Sequence, residues 1–257
     1  MKQLFNSWIR PLMHQVGFDI IRLGKTAPYI GYPPDFSIEN IKICEAVKHY
    51  TMTSPERINS LIDAVRYVVT RKVSGAFVEC GVWKGGSSMA IALTLRDMGD
   101  ENRDIYLYDT FSGMCAPTDV DISIWGEVAH QKFSKNKISD DASDYCMSPL
   151  EEVKANLFST GYDEEKIHYI KGKVEETIPK SIPKEIALLR LDTDWYESTK
   201  HELIQLYPLI NTNGVLIIDD YGHWEGARKA VDEYISDNNI QILLNRIDYT
   251  GRIAVKT

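Results

Sequence analysis

The sequence predicts an α/β fold in which a mostly parallel sheet is covered by helices. Five short apolar runs of strand length recur along the chain, and segments with helical periodicity separate them. Strands that alternate with helices are typical of βαβ units, whose strands lie parallel. The last residues differ, because two β-rich runs flank a turn at 248–251 and favour an antiparallel pair that closes the sheet.

The predicted elements follow from local patterns. Ser54-Pro55-Glu56 begins a helix, because serine caps a helix and proline fits its first position. The predicted strands span 76–80, 105–108, 167–170, 187–191 and 215–218, and further helices span 87–98, 150–158, 196–207 and 227–235. The polar stretch 116–148 shows no clear period, and a loop of that length is typically a lid or a binding loop.

Composition narrows the classes of partner and compartment. The net charge is −8, which argues against nucleic acid because phosphate binding needs a basic face. The four cysteines form no CxxC pair, which favours reduced thiols. No run reaches the ~18 apolar residues of a membrane span, and no secretory signal is recognisable. We therefore expect a cytoplasmic protein.

The N-terminal segment 1–23 has apolar residues at helical spacing and basic residues beside them. Such a helix packs on the protein body or on a second subunit, or it lies on an anionic membrane surface, and both alternatives stay open. Pro11 interrupts the pattern and weakens both. We divide the chain into a helical extension with its linker, 1–37, and a main domain, 38–257.

A glycine-rich turn follows the first predicted strand, in FVECGVWKGGSS at 77–88. It matches neither the dinucleotide fingerprint nor a P-loop. Glu79 would repel a pyrophosphate but suits a cationic ligand such as S-adenosylmethionine, whose carboxylate could bind backbone N–H groups near Ser87 and Ser88. The alternative is a structural turn with Glu79 exposed.

Asp109 ends the second predicted strand, the place where an acid binds ribose hydroxyls in related folds. A helix cap is the alternative reading of this aspartate.

Four aspartates end two later strands. Asp192 and Asp194 follow the fourth strand, and Asp219 and Asp220 follow the fifth. The carboxyl ends of parallel strands line one crevice, so these carboxylates should converge and repel one another. A hard divalent cation, which prefers oxygen ligands, would relieve the repulsion and leave one carboxylate as a base. Capping of the following helices is the alternative.

Several motifs resemble the macrocin O-methyltransferase family, whose members methylate sugars of the tylosin, mycinamicin and novobiocin pathways. They are YTMTSPERI, FVECGVWKGGSS, YDTFSGM, LDTDWYEST and IIDDYGHWEGARKAVDEY, in order over about residues 40–257. The resemblance implies a Rossmann-like class I methyltransferase fold with a seven-stranded sheet and an antiparallel last strand. It also implies S-adenosylmethionine, Mg²⁺ or Mn²⁺, and a homodimer or higher oligomer.

The resemblance also assigns roles to residues. It implies metal ligands at Asp192, Asp219 and Asp220, a general base at Asp194, and cofactor contacts at Thr53, Glu79, Gly81, Ser87, Asp109 and Ser112. Residues 1–35 and 116–145 match no family pattern, although these parts are expected to meet the acceptor.

We therefore expect a metal-dependent O-methyltransferase that acts on a sugar hydroxyl, with the sugar free, nucleotide-linked or carrier-linked. A metal-dependent hydrolase that uses the same aspartates and a non-catalytic cofactor-binding protein are the alternatives. His223 has either a structural role or a role in contacting substrate or metal. Trp195, Tyr196 and Trp224 are candidates for stacking on a sugar, with core packing as the alternative for at least one.

Overall fold

The computed structural model describes residues 31–140 and 142–257. The compact unit that carries the sheet spans Ser37–Thr257. The predicted amphipathic helix of 1–23 lies outside the described residues, so its packing and its membrane contact stay predictions. Within the described part of the chain, no helix is long and apolar enough to cross a membrane.

Short strands and helices alternate through this unit. The strands are β1 (Ala76–Cys80), β2 (Ile105–Asp109), β3 (Lys137–Ser139), β4 (Ala142–Ser143), β5 (Ile167–Lys171), β6 (Ile186–Leu191), β7 (Ile210–Ile218), β8 (Asn245–Arg246) and β9 (Arg252–Val255). The helices are α1 (Ile38–Val47), α2 (Pro55–Thr70), α3 (Gly86–Asp97), α4 (Ala129–Lys135), α5 (Leu150–Phe158), α6 (Val174–Thr177), α7 (Tyr196–Leu206) and α8 (Glu225–Asp237).

The main sheet has seven strands in the order β5-β2-β1-β6-β7-β9-β8. β5, β2, β1, β6 and β7 pair in parallel, and β9 pairs antiparallel with both β7 and β8. Helices cover both faces, so the predicted Rossmann-like fold is confirmed. After β1 the chain adds β2 and β5 on one side of β1, and it then adds β6 and β7 on the other side. This reversal of strand order opens a crevice beyond the carboxyl ends of the strands.

Burial explains why the central strands form. All residues of β1 and β6 are buried, as expected for parallel strands covered on both faces. The predicted start of α2 is confirmed, because the hydroxyl of Ser54 accepts a hydrogen bond from the backbone N–H of Arg57. Two charged residues, Glu79 and Arg190, nevertheless lie within the buried strands.

The structure differs from the sequence prediction in three places. α1 begins after Ser37, whose side chain caps it, and the sequence analysis did not predict this helix. The stretch 116–148 contains α4 and the β3–β4 hairpin, so it is a structured insertion rather than a loop. In the tail, β8 spans only Asn245–Arg246, and most of the apolar run before it is not a strand.

Candidate active site

A cleft of about 330 Å³ lies at the carboxyl ends of the central strands, within the size range of small-molecule sites. Eight of the ten residues to which the family resemblance assigns a role line it: Thr53, Gly81, Ser87, Asp109, Asp192, Asp194, Asp219 and Asp220. Glu79 and Ser112 do not line it. The structure therefore brings the four strand-end aspartates together with most of the predicted cofactor contacts.

The turn after β1 forms one wall. Gly81 has a φ of +82°, and a Cβ atom there would lie 2.0 Å from the carbonyl oxygen of Asp192. Only glycine allows the turns after β1 and β6 to approach so closely. The chain then enters α3, whose first residues Gly86 and Ser87 also line the cleft. The N–H groups of a first helical turn lack intrahelical acceptors and favour an anionic group.

Asp109 holds this wall in place. Its carboxylate accepts hydrogen bonds from the backbone N–H groups of Val82 at 2.7 Å, Trp83 at 3.1 Å and Phe111 at 2.7 Å. Burial raises the pKa of Asp109, whereas these bonds oppose the rise. The carboxylate thus fixes the turns after β1 and β2, and within the described residues no helix begins at Asp109. Ribose binding by Asp109 stays a prediction.

Glu79 lies beneath the cleft rather than in it. Its carboxylate accepts from the hydroxyl of Ser88 and from Nη1 of Arg190, the latter at 2.7 Å. Glu79 and Arg190 are direct neighbours in the β1–β6 register. The alternative of an exposed Glu79 is wrong because the side chain is 1% exposed. Its carboxylate neutralises a buried arginine, and direct contact with a cofactor stays a prediction.

Arg190 also reaches the acidic end of the cleft. Its Nη1 donates to Asp192 at 2.6 Å, and its Nη2 donates to Asp219 at 2.5 Å and to the hydroxyl of Thr53 at 3.0 Å. Arg57 donates to the other carboxylate oxygen of Asp219 and forms an ion pair with Asp248 at 3.0 Å. Both oxygens of Asp219 therefore accept from arginines.

Neither arginine was predicted from the sequence, although a signal for Arg190 was present. Glu79 and Arg190 are each the last residue but one of an apolar strand. Adjacent parallel strands whose ends align place such residues side by side, so the opposite charges predict an ion pair. No comparable pattern marks Arg57, which lies in the first turn of α2.

Three carboxylates form the acidic end of the cleft. Asp192, Asp194 and Asp220 each offer one oxygen, and these oxygens lie within 4.8 Å of one another. Withdrawal from water and the charge of Asp192 raise the pKa of Asp194 to about 7. Burial and the charge of Asp194 raise the pKa of Asp220. Oδ2 of Asp220 is buried, and none of the residues that the structure describes donates a hydrogen bond to it. An oxygen set of this kind fits a hard divalent cation.

Asp194 has a left-handed backbone with a φ of +69°. Asparagine and aspartate tolerate this region better than other non-glycine residues, yet the conformation still costs energy. Strained residues of this kind cluster at functional sites. The strain is consistent with a side chain that the surrounding structure holds toward the cleft.

A second wall comes from the structured insertion and from the residues after β6 and β7. Trp195 and Trp224 pack edge to face with ring centroids 4.9 Å apart, and both are buried. The indole N–H of Trp195 donates to the carbonyl oxygen of Cys115. The hydroxyl of Tyr196 donates to Glu233. Both tryptophans are packed and also line the cleft, so stacking of either on a sugar stays a prediction.

His223 also lines this wall. Burial, followed by the charge of Lys132, lowers the pKa of His223, so the ring is neutral at physiological pH. A neutral imidazole can donate or accept a hydrogen bond at this position.

Comparison with known proteins decides the family. Residues 45–255 match the family model described as macrocin-O-methyltransferase (TylF). The chain belongs to the macrocin O-methyltransferase family. Family members are O-methyltransferases, and this assignment replaces the hydrolase and the non-catalytic alternatives.

Two curated relatives of this family member are bacterial enzymes. One is the 8-demethyl-8-(2,3-dimethoxy-alpha-L-rhamnosyl)-tetracenomycin-C 4'-O-methyltransferase of Streptomyces olivaceus, which is 33% identical over 79% of this chain and 74% of the relative. The other is the mycinamicin III 3''-O-methyltransferase of Micromonospora griseorubida, which is 29% identical over 79% of this chain and 76% of the relative.

Solved structures agree with the fold of this O-methyltransferase. The O-methyltransferase NovP is 28% identical, with a TM-score of 0.70 over 81% of this chain and 82% of NovP. The calicheamicin methyltransferase CalS11 is 18% identical, with a TM-score of 0.55 over 93% of this chain and 99% of CalS11. The second likeness supports the fold alone.

Proposed function

We propose that this protein transfers a methyl group from S-adenosylmethionine to a sugar hydroxyl and requires Mg²⁺ or Mn²⁺. One observation carries the proposal: the carboxylates of Asp192, Asp194 and Asp220 meet in a cleft that the glycine turn after β1 also lines. A sugar acceptor is supported by the names of relatives, since one acts on a rhamnosyl-tetracenomycin.

The cofactor would lie between the turn after β1 and the start of α3. Four of the predicted cofactor contacts, Thr53, Gly81, Ser87 and Asp109, line the cleft. The N-terminus of α3 would bind the carboxylate of S-adenosylmethionine, and Asp109 would bind the ribose. When bound, S-adenosylmethionine supplies an electrophilic methyl group on a positively charged sulfur. The Gly81 turn keeps this wall close to the acidic end, because it touches the turn that carries Asp192.

The metal would lie at the acidic end, with Asp192, Asp219 and Asp220 as ligands. Each carboxylate oxygen has two lone pairs, so Asp219 can accept from Arg57 and Arg190 and still offer an oxygen. When bound, the ion lowers the pKa of a hydroxyl group that coordinates to it. Asp192 and Asp219 are held for this role by Arg190, which orients one oxygen of each.

Asp194 would act as the general base. Its carboxylate offers an oxygen within 4.8 Å of oxygens of Asp192 and Asp220, so it can reach a hydroxyl group that is held beside them. A carboxylate oxygen of Asp194 would accept the proton of the acceptor hydroxyl, and the oxygen of that hydroxyl would take the methyl group that the cofactor supplies.

One assay tests the reaction, the donor and the acceptor together. The protein is incubated with methyl-labelled S-adenosylmethionine, Mg²⁺ and a panel of free, nucleotide-linked and carrier-linked sugars, with catechols and flavonoids as control acceptors. We expect labelled sugar and demethylated cofactor, loss of turnover in excess chelator, and recovery with Mg²⁺ or Mn²⁺. Full activity in excess chelator, or label found only in the control acceptors, would refute the proposal.

A metal-ligand variant adds a second test. Asp220→Asn keeps the shape of the side chain but weakens it as a ligand, so the Mg²⁺ concentration needed for half-maximal rate should rise. An unchanged requirement would remove Asp220 from the ligand set.

We also propose a homodimer or higher oligomer, which light scattering after gel filtration would measure.

A further inference from the structure

A rigid turn in the structured insertion places an exposed tryptophan at the rim of the cleft. The side chain of Trp125 is 66% exposed. Its ring centroid lies 5.0 Å from that of His223 and 5.9 Å from that of Tyr249. His223 and Tyr249 line the cleft, whereas Trp125 lies outside its lining. We call these three residues the rim cluster.

Hydrogen bonds hold this turn against the protein body. The backbone N–H of Ile124 donates to the carbonyl oxygen of His223 at 2.9 Å, and Ser123 forms an antiparallel bridge with Trp224. The buried carboxylate of Asp121 accepts from the backbone N–H groups of Thr118 at 2.7 Å and Tyr196 at 2.8 Å. The backbone that carries Trp125 is therefore fixed, and its indole is exposed on an anchored turn.

Trp125 is grouped with two further aromatic rings at the edge of a cleft, and a contiguous exposed patch of this kind can mark a ligand contact. Packing against the core does not explain Trp125, because two thirds of its side chain contacts solvent. The buried pair Trp195 and Trp224 provides the packing that this wall needs. The rim cluster therefore offers exposed aromatic faces to a ligand at the edge of the cleft.

The chemistry of the rim cluster identifies the class of ligand. Each of its rings combines a flat apolar face with a polar group at its edge: an indole N–H, an imidazole and a phenol. The hydroxyl of Tyr249 lies 3.4 Å from Nδ1 of His223, so the polar edges meet. A pyranose has the matching form, with an apolar C–H face and hydroxyl groups around its edge. A purely apolar carrier would make no use of the polar edges.

We propose that the rim cluster is an acceptor subsite that binds a second sugar ring, the unit attached to the sugar that is methylated. The inference rests on the proposed sugar methylation. The methylated ring must reach the carboxylates at the strand ends. Trp125 lies outside the lining of the cleft but contacts His223 and Tyr249, which line it, so a unit attached to the methylated ring can reach Trp125. Acceptors with two or more sugars then bind more tightly than single sugars.

Kinetics with matched acceptors test this subsite. The acceptor sugar identified in the labelling assay is supplied as its methyl glycoside, as a disaccharide glycoside and as an octyl glycoside. Trp125→Ala should raise KM for the disaccharide about tenfold, with kcat and the methyl glycoside kinetics unchanged. Trp125→Phe should retain most of the affinity, because it keeps an aromatic face. Phe158→Ala is the control, since Phe158 is 65% exposed on α5 and does not line the cleft.

Four results for Trp125→Ala would overturn the inference while the proposed function stands. The first two are kinetics equal to those of the unchanged protein, and an equal rise in KM for the methyl glycoside and the disaccharide. The last two are a rise in KM confined to the octyl glycoside, and a changed oligomeric state in light scattering. The last two would assign the rim cluster to an apolar carrier or to a subunit interface. If no sugar in the panel accepts a methyl group, the proposed function fails first and the inference falls with it.

Discussion

The strand-end wall and the structured insertion each contain a buried aspartate, but the hydrogen-bond donors of the two carboxylates differ in charge. At the strand ends, Asp219 is neutralised by two arginines, Arg57 and Arg190. In the structured insertion, Asp121 accepts from two backbone N–H groups and from the hydroxyl of Thr118, none of which carries a charge. The first wall balances charge against charge, whereas the second uses a carboxylate to anchor a turn.

We expect this difference to divide the work of the cleft: the strand ends serve methyl transfer, and the structured insertion serves acceptor binding. The strand ends hold more carboxylates than arginines, so their structure retains an excess of negative charge that suits a metal ion and a cationic cofactor. The structured insertion holds aromatic rings on an anchored backbone and suits binding of an uncharged acceptor. Changes at the strand ends should alter rate, stability and metal affinity, whereas changes in the structured insertion should alter acceptor binding.

Removing the proposed base should have the largest effect. Asp194→Asn keeps the shape of the side chain and tolerates the left-handed backbone but cannot accept the proton. We expect kcat to fall by about 10²–10⁴ at saturating Mg²⁺ and acceptor, with little change in the binding of either the cofactor or the metal by calorimetry. If high Mg²⁺ restores the rate of Asp194→Asn, Asp194 is a metal ligand and not the base.

Removing the buried counter-charge should come next. Arg190→Met leaves Glu79, Asp192 and Asp219 without their shared cation, and an unpaired buried charge costs about 3–5 kcal/mol. Denaturant unfolding should show a loss of that size, and Mg²⁺ should raise the melting temperature more in the variant than in the unchanged protein. Arg190→Lys keeps one charge but lacks the planar fork, so we expect an intermediate loss. A loss below about 1 kcal/mol in Arg190→Met would show that the carboxylates do not depend on this arginine.

Loosening the structured insertion should cost less. Asp121→Ala leaves several buried donors unpaired, at about 1–3 kcal/mol, and should speed hydrogen exchange in residues 118–128. We expect acceptor KM to rise while the affinity for S-adenosylmethionine is unchanged. Asp119→Ala is the matched control, because the side chain of Asp119 is fully exposed in the same turn. Equal effects of the two substitutions would remove the anchoring role from Asp121.

The smallest expected effect concerns pH. The folded protein keeps a proton on Asp194 up to about pH 7, whereas the unfolded chain loses it near the ordinary pKa of an aspartate. The contribution of this group to stability therefore falls as pH rises between these two values. Without metal, the melting temperature should be a few degrees higher at about pH 6 than at about pH 8. Mg²⁺ should raise the melting temperature more at about pH 8, because Mg²⁺ binds the deprotonated carboxylates.

Asp194→Asn supplies the control for the pH dependence, because it removes the titrating group. The difference in melting temperature between the two pH values should shrink in this variant. If the difference is unchanged, other carboxylates at the strand ends carry the pH dependence.

The sequence by itself predicted the central strands and the residues that follow them. The apolar run of β1 and the aspartates after β6 and β7 are local patterns, and parallel strands bring their carboxyl ends together whatever the details of the loops. For this reason the cleft, the Gly81 turn and the acidic cluster were predicted, and the motifs that carry the family resemblance lie in these same segments.

Only the tertiary structure decided which groups face each other across long distances. Glu79 and Arg190 are 111 residues apart, and their contact depends on the register of β1 against β6. Trp125 lies in a polar stretch without a period, so no local pattern marks it as exposed. Its exposure depends on the hydrogen bonds that Asp121 and the start of α8 make with this stretch. Periodicity reports which face of an element is buried, but pairing of charges and exposure of rings depend on neighbours that local sequence does not contain.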